Sequence, residues 1–107
     1  MPTTHFSEAD FDAKVLKSST PVMVDFYADW CGPCRVMAPV IDELAAELAG
    51  KVLVGKVDVD ANQQLAERYQ VMSIPTLVVF RGGQVVERLS GVQSKGALLA
   101  KLKELTG

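Results

Sequence analysis

Val22-Met23-Val24-Asp25-Phe26-Tyr27-Ala28-Asp29-Trp30-Cys31-Gly32-Pro33-Cys34 is the stretch that decides the fold. Residues 22–28 read as a strand buried on both faces, apart from Asp25. After Cys31 the pattern turns helical, and both cysteines of the chain fall at this junction. The first N–H groups of a helix have no partner within it, and the helix dipole favours negative charge there. A cysteine so placed loses its proton more easily than a free thiol, and the thiolate is the reactive form. The pentapeptide from Trp30 to Cys34 therefore points to reversible dithiol–disulfide exchange.

Upstream, Ser7-Glu8-Ala9-Asp10 predicts a helix start capped by Ser7. Phe11, Val15 and Leu16 follow at helical spacing, and the helix is expected to end within residues 18–21. Downstream, a long helix places Met37, Val40, Ile41, Leu44, Ala45 and Leu48 on one side, and Gly50 suits its end. Pro39 lies inside this helix and is expected to kink it. Residues 52–57 form the next strand, and Asp60 is expected to cap a short helix over residues 61–69. Residues 76–80 are a strand, Arg81-Gly82-Gly83-Gln84 a turn, and residues 85–89 its hairpin partner. Ser94 opens a last helix with Leu98, Leu99, Leu102 and Leu105 on its apolar side. Residues 3–6 add a short edge strand. There are no repeats, linkers or low-complexity segments. The order of elements implies one α/β domain over residues 1–107, a mixed sheet with helices on both faces. Right-handed crossovers place the cysteine pair at the sheet's carboxyl edge.

The chain has 107 residues, 49% hydrophobic and 22% charged, with a net charge of −2, as in an ordinary globular domain. That charge supplies no attraction for nucleic acid or an anionic membrane. No basic region followed by an apolar stretch marks a signal peptide at the N-terminus, and no apolar run is long enough to span a bilayer. The expectation is a cytoplasmic, monomeric protein. A structural staple is a poor reading of the cysteines, because so short a loop removes little entropy from the unfolded chain.

Cys31 is expected to attack and Cys34, one turn further in and more shielded, to resolve. Their three-residue offset puts them on one helix side, close enough for a bridge. Cys31 thiolate opens a substrate disulfide, and Cys34 then displaces the substrate from the mixed disulfide. Gly32-Pro33 holds no charge or imidazole to stabilise the reduced form, which favours a reductant; Arg35 offsets this if its guanidinium folds back toward the sulfur. Two buried thiols or half a zinc site are the competing readings. Gly-Pro packs poorly in a core, and zinc needs four ligands where only His5 remains.

Asp25 interrupts an apolar strand six residues before Cys31. A buried lone carboxylate is costly and tends to hold a proton near neutral pH. That suits a general acid–base for the Cys34 proton, against the alternative of a hydrogen-bonded structural Asp. Lys56, on the neighbouring strand, can pair with it or remain a solvated surface lysine. Ile74-Pro75-Thr76 precedes a strand, where proline is ordinary, and the sequence alone does not assign its isomer. Trp30 reads equally as core or as a surface contact, and His5 as incidental.

These residues together resemble the thioredoxin family: residues 24–34, Lys56-Val57-Asp58, Ser73-Ile74-Pro75-Thr76-Leu77 and Gly91, in matching order and spacing over nearly the whole chain. The resemblance implies the thioredoxin fold, a central mixed five-stranded sheet flanked by four helices. It implies a cis Pro75 packed against the cysteine pair and an Ile74 backbone that pairs with an extended substrate segment. Trp30, Gly32, Pro33, Ile74, Pro75 and Gly91 form the implied docking face. The implied activity is protein-disulfide reduction with no cofactor in this chain. The implied partners are an NADPH-dependent, flavin-containing thioredoxin reductase and clients such as ribonucleotide reductase, peroxiredoxins and methionine sulfoxide reductases. Tyr27 stands where the family often has a second Trp, and Arg35 where it often has Lys. The alternatives are an interaction subunit without redox turnover and an oxidant or isomerase of secreted proteins.

Overall fold

The computed structural model describes residues 3–106. Strands β1 (Thr4–His5), β2 (Val22–Tyr27), β3 (Leu53–Asp58), β4 (Thr76–Arg81) and β5 (Gln84–Ser90) form one sheet in the order β1-β3-β2-β4-β5. The β1–β3 and β3–β2 pairs are parallel, and β2–β4 and β4–β5 antiparallel. The mixed five-stranded sheet of the thioredoxin fold is thus present, with β2 at its centre. A π-helical turn (Asp12–Leu16) and helices α1 (Gly32–Glu47), α2 (Gln63–Arg68) and α3 (Lys95–Thr106) flank it.

Strand alternation sorts the core into two layers. Val22, Val24 and Phe26 pack with Phe6, Phe11, Val15, Leu65 and Phe80, under the π-helical turn and α2. Met23 points the other way, into a layer with Met37, Ile41 and Leu44 of α1 and Leu98 and Leu102 of α3. Gly55 lets the edge strand close on β3, since a side-chain carbon there would stand 2.8 Å from the Thr4 carbonyl oxygen and would clash with the Phe6 ring.

Two local expectations are corrected. Ser7 caps nothing with its hydroxyl: its N–H donates to the Asp10 carboxylate at 2.7 Å, and its carbonyl accepts from Phe11 N–H. The segment then winds as a π-turn, with Lys17 N–H reaching back five residues to Asp12. Asp60 does not cap α2, whose N-cap is Asn62; the Asp58 carboxylate instead accepts the Asp60 N–H at 2.9 Å. Helix α1 is continuous from Gly32 to Glu47 with Pro39 inside it. The Ser94 cap is in place, its hydroxyl accepting from Ala97 N–H at 3.1 Å.

Candidate active site

Strand β2 delivers the chain to the sheet edge, and Ala28–Trp30 turn it into α1. Cys31 is the helix N-cap, with extended backbone angles of φ −84° and ψ 113°. Its sulfur accepts the backbone N–H of Cys34 at 3.2 Å, so one of the free donors of the helix start points at that sulfur. Pro33 sits in the first turn, where its missing N–H has no partner to lose. Cys31 and Cys34 are joined in a disulfide, with Cα atoms 5.2 Å apart. Their exposures, 5% and 4%, do not separate them, contrary to the expected shielding of Cys34. What separates them is position: Cys31 sits at the helix end with a donor on its sulfur, and Cys34 lies inside the first turn.

The second wall comes from the loop before β4. The Ile74–Pro75 bond is cis, and the Ile74 carbonyl oxygen lies 3.8 Å from Cys31 Sγ. A disulfide sulfur has no proton to donate, so this is a contact that places a free backbone acceptor beside the bridge. Thr76 Oγ1 donates to the Ser73 carbonyl at 2.6 Å, and Gly91 N–H donates to the Pro75 carbonyl at 2.9 Å, tying the loop to the end of β5. Gly91 adopts φ +84°, which favours glycine.

Around the disulfide, Pro33 is exposed, Gly32, Ile74 and Gly91 are half-buried, and Pro75 is buried. Trp30 is 68% exposed, a surface residue and not core. Its indole Nε1–H donates to Asp60 Oδ2 at 2.8 Å. A groove of about 410 Å³ runs beside it, lined by Trp30, Val59, Asp60, Gln63, Met72 and Ile74 among others. Sequence reading missed Asp60 and Met72 here. Met72 is 92% exposed, and an apolar side chain in a loop next to Ile74-Pro75 was the available signal; nothing local links Asp60 to Trp30, 30 residues away.

Asp25 is 1% exposed, and its Oδ1 has no hydrogen-bond partner among the described residues. By alternation it shares the face of Met23, the side on which α1 lies. Burial pushes its carboxyl up to about 6, against a smaller downward pull from Lys56. Lys56 is its cross-strand neighbour, yet the ammonium makes no ion pair with it and lies 4.6 Å from the Tyr27 ring centroid. A cleft of about 130 Å³, lined by Tyr27, Asp29, Cys34, Arg35, Ala38 and Lys56 among others, leads from solvent to Cys34. The Arg35 guanidinium donates to the Asp29 carbonyl at 2.8 Å. His5 meets the Tyr27 ring edge-on at 6.2 Å. Among the described residues no cluster of His, Cys, Asp and Glu could hold a metal ion, and no helix is long and apolar enough to cross a membrane.

The arrangement can pass two electrons between its own thiols and another disulfide. Comparison with known proteins agrees. The family model described as thioredoxin matches residues 2–104. The thioredoxin of Mycobacterium tuberculosis (strain ATCC 25618 / H37Rv) is 48% identical over 103 residues, 96% of this chain and 89% of that one. The thioredoxin of Staphylococcus aureus (strain Mu50 / ATCC 700699) is 50% identical over 95 residues, 89% of each. The bifunctional thioredoxin reductase/thioredoxin of Mycobacterium leprae (strain TN) is 48% identical over 103 residues; the match spans 22% of its length.

Proposed function

Because this chain belongs to the thioredoxin family, and is thus a protein-disulfide reductase working by dithiol–disulfide exchange, we propose that Cys31 attacks and Cys34 resolves. The observation that carries this assignment is the Cys34 N–H aimed at Cys31 Sγ from the start of α1. In the reduced protein the same donor stabilises a thiolate on Cys31. The thiolate attacks one sulfur of a client disulfide, forming a mixed disulfide and expelling the other client thiolate. Cys34, as thiolate, then attacks the Cys31 sulfur, closing the internal bridge and releasing the second client thiolate. Two electrons leave the dithiol, and the client disulfide gains them.

Asp25 takes the proton of Cys34 in the second step and returns it later. Its depth and its carboxyl, pushed up to about 6, suit that exchange near neutral pH. Trp30, Gly32, Pro33, Ile74, Pro75 and Gly91 seat the client, with the Ile74 backbone pairing an extended segment. Lys56 tunes Asp25 through space.

Thioredoxins receive electrons from thioredoxin reductase and pass them to client disulfides. For this chain we take an NADPH-dependent flavin reductase as the donor, which the name of the Mycobacterium leprae relative supports. Ribonucleotide reductase, peroxiredoxins and methionine sulfoxide reductases are the proposed clients, and a cytoplasmic monomer the proposed form.

Reduction of insulin disulfides by dithiothreitol tests the assignment. The protein accelerates it, Cys31→Ser abolishes the acceleration, and Cys34→Ser accumulates mixed disulfides through Cys31. Trapping by Cys31→Ser alone reverses the two roles.

A further inference from the structure

We propose that Tyr27 is a positioning residue for the exchange reaction: its ring seats the Lys56 ammonium and keeps it from closing an ion pair on Asp25. Three observations meet here. Asp25 and Lys56 stand in register on adjacent parallel strands, and a lysine stem spans the gap between directly paired residues easily. Asp25 nevertheless keeps an oxygen with no partner. The ammonium lies 4.6 Å from the Tyr27 ring centroid instead, where the negative face of an aromatic ring attracts a cation. Tyr27 is two residues beyond Asp25 on the same strand face, so one lysine can serve either seat and occupies the ring.

The surrounding charges favour this seat. Asp58 stands opposite Tyr27 on β3, Asp29 follows in the loop, and both, with Asp25, act on the Tyr27 hydroxyl after burial as its largest influence. From β1, His5 meets the same ring on its edge. On α1, Arg35 is engaged by the Asp29 carbonyl, and Cys34 lines the cleft that Tyr27 and Lys56 share. On β4, Asp25 faces Leu77, which brings no charge. Lys56 is thus the cation whose placement sets how firmly Asp25 holds a proton. Closed on Asp25, it stabilises the carboxylate and makes a weaker acceptor for the Cys34 proton. Held on the ring, it leaves the carboxyl to its burial.

The inference rests on the proton role proposed for Asp25, but its test reads the carboxyl itself. The Asp25 side-chain ¹³C resonance is titrated in the full-length oxidised protein and its variants. Tyr27→Phe, which keeps the ring, leaves the midpoint in place. Tyr27→Leu lowers it by about one pH unit, the low end of what a cation within roughly 4–6 Å does. In a Lys56→Met background, Tyr27→Leu has no such effect. An unmoved midpoint in Tyr27→Leu overturns the proposal, and so does an equal fall without Lys56, which assigns the change to water entry. A measurement without variants guards against a misfolded Tyr27→Leu: the Lys56 ε-methylene protons are shifted upfield by the ring, and unshifted resonances overturn the proposal too. An Asp25→Asn protein with an unchanged pH–rate profile removes the proton role and leaves the seating of Lys56 to stand or fall on the titration.

Discussion

The two faces of β2 share one backbone and differ in purpose. On one face Val22, Val24 and Phe26 enter a layer of interlocking rings, with Phe11, Tyr69 and Phe80 at centroid distances of 5.2–5.7 Å and edge-on or tilted geometry. The buried side chains there are all apolar, and the one polar group, the Tyr69 hydroxyl, belongs to a half-buried ring. The other face starts alike, with Met23 against Met37 and Ile41. Two residues on, a rise of about 6.6 Å along a strand, it presents a carboxyl with an orphaned oxygen, and then a tyrosine beneath a lysine. The aromatic face supplies the stability that lets the opposite face carry an unfavourable group at the end where α1 delivers the cysteines.

Phe26→Ala strikes this division hardest. Phe26 is fully buried, so truncation is expected to cost about 3–5 kcal/mol in urea unfolding, a large part of the roughly 5–15 kcal/mol of a typical domain. Phe26→Leu costs about 1 kcal/mol and leaves the protein folded for assay. Its rate of insulin reduction is expected to match the unaltered protein. A slowed rate in folded Phe26→Leu breaks the separation of the two faces.

Asp25→Asn is expected to change stability in the opposite sense. The carboxyl titrates near 6 in the fold against 3.8 when exposed, so the folded state binds the extra proton between those values. Stability therefore falls as pH rises from about 4 to 6 and stays low above. The full penalty is about 3 kcal/mol, and the amide removes it. Unfolding at pH 8 should show Asp25→Asn more stable by up to that amount, with the gain gone below pH 4. The same substitution should slow exchange near neutral pH; a pH-independent gain in stability separates Asp25 from the titration assigned to it.

Periodicity made most of this legible. Helix α1 buries Met37, Ile41 and Leu44, and α3 buries Leu98 and Leu102, because i, i+4 and i+7 positions share a face whatever they pack against. The cysteines could be placed from the strand-to-helix junction alone. What stayed hidden was choice among near-equal local partners and contact across the chain. At the first turn the Ser7 hydroxyl read as the cap is passed over, and the bond made there is from the Ser7 N–H to the Asp10 carboxylate, a strong acceptor. Asp60 was free for α2 or for an indole 30 residues away, and only the fold brings Trp30 within 2.8 Å. Lys56 could reach Asp25 or the Tyr27 ring, and strand register alone leaves both open. The Ile74–Pro75 isomer had no local signal, since a proline leading into a strand is ordinary in sequence.

Gly91 tests whether the docking rim is held as tightly as the core. A side-chain carbon there meets nothing within 4 Å, but φ is +84°. Gly91→Ala is therefore expected to cost about 1–2 kcal/mol from backbone strain alone. Its N–H bond to the Pro75 carbonyl links that strain to the client seat. A raised KM for a disulfide peptide with an unchanged kcat is the expected signature; an unchanged stability shows that the loop relaxes freely.

The smallest effect falls at the rim's outer edge. Trp30 is the chain's single indole, one residue before Cys31 and 68% exposed, so its fluorescence should report reduction of the bridge. Its bond to Asp60 is solvent-exposed. A neutral substitution there trades one protein hydrogen bond for water, and Asp60→Ala should cost less than about 1 kcal/mol. The fluorescence of both redox states should nevertheless move, because the carboxylate no longer orients the indole dipole. If Asp60→Ala instead costs as much as a buried truncation, the rim is part of the folding core, and the contrast between the faces of β2 does not extend to the surface that meets the client. If stability holds while client reduction slows, Asp60 acts by fixing the indole's orientation at the docking face, a role that burial and hydrophobicity along the sequence give no means of detecting.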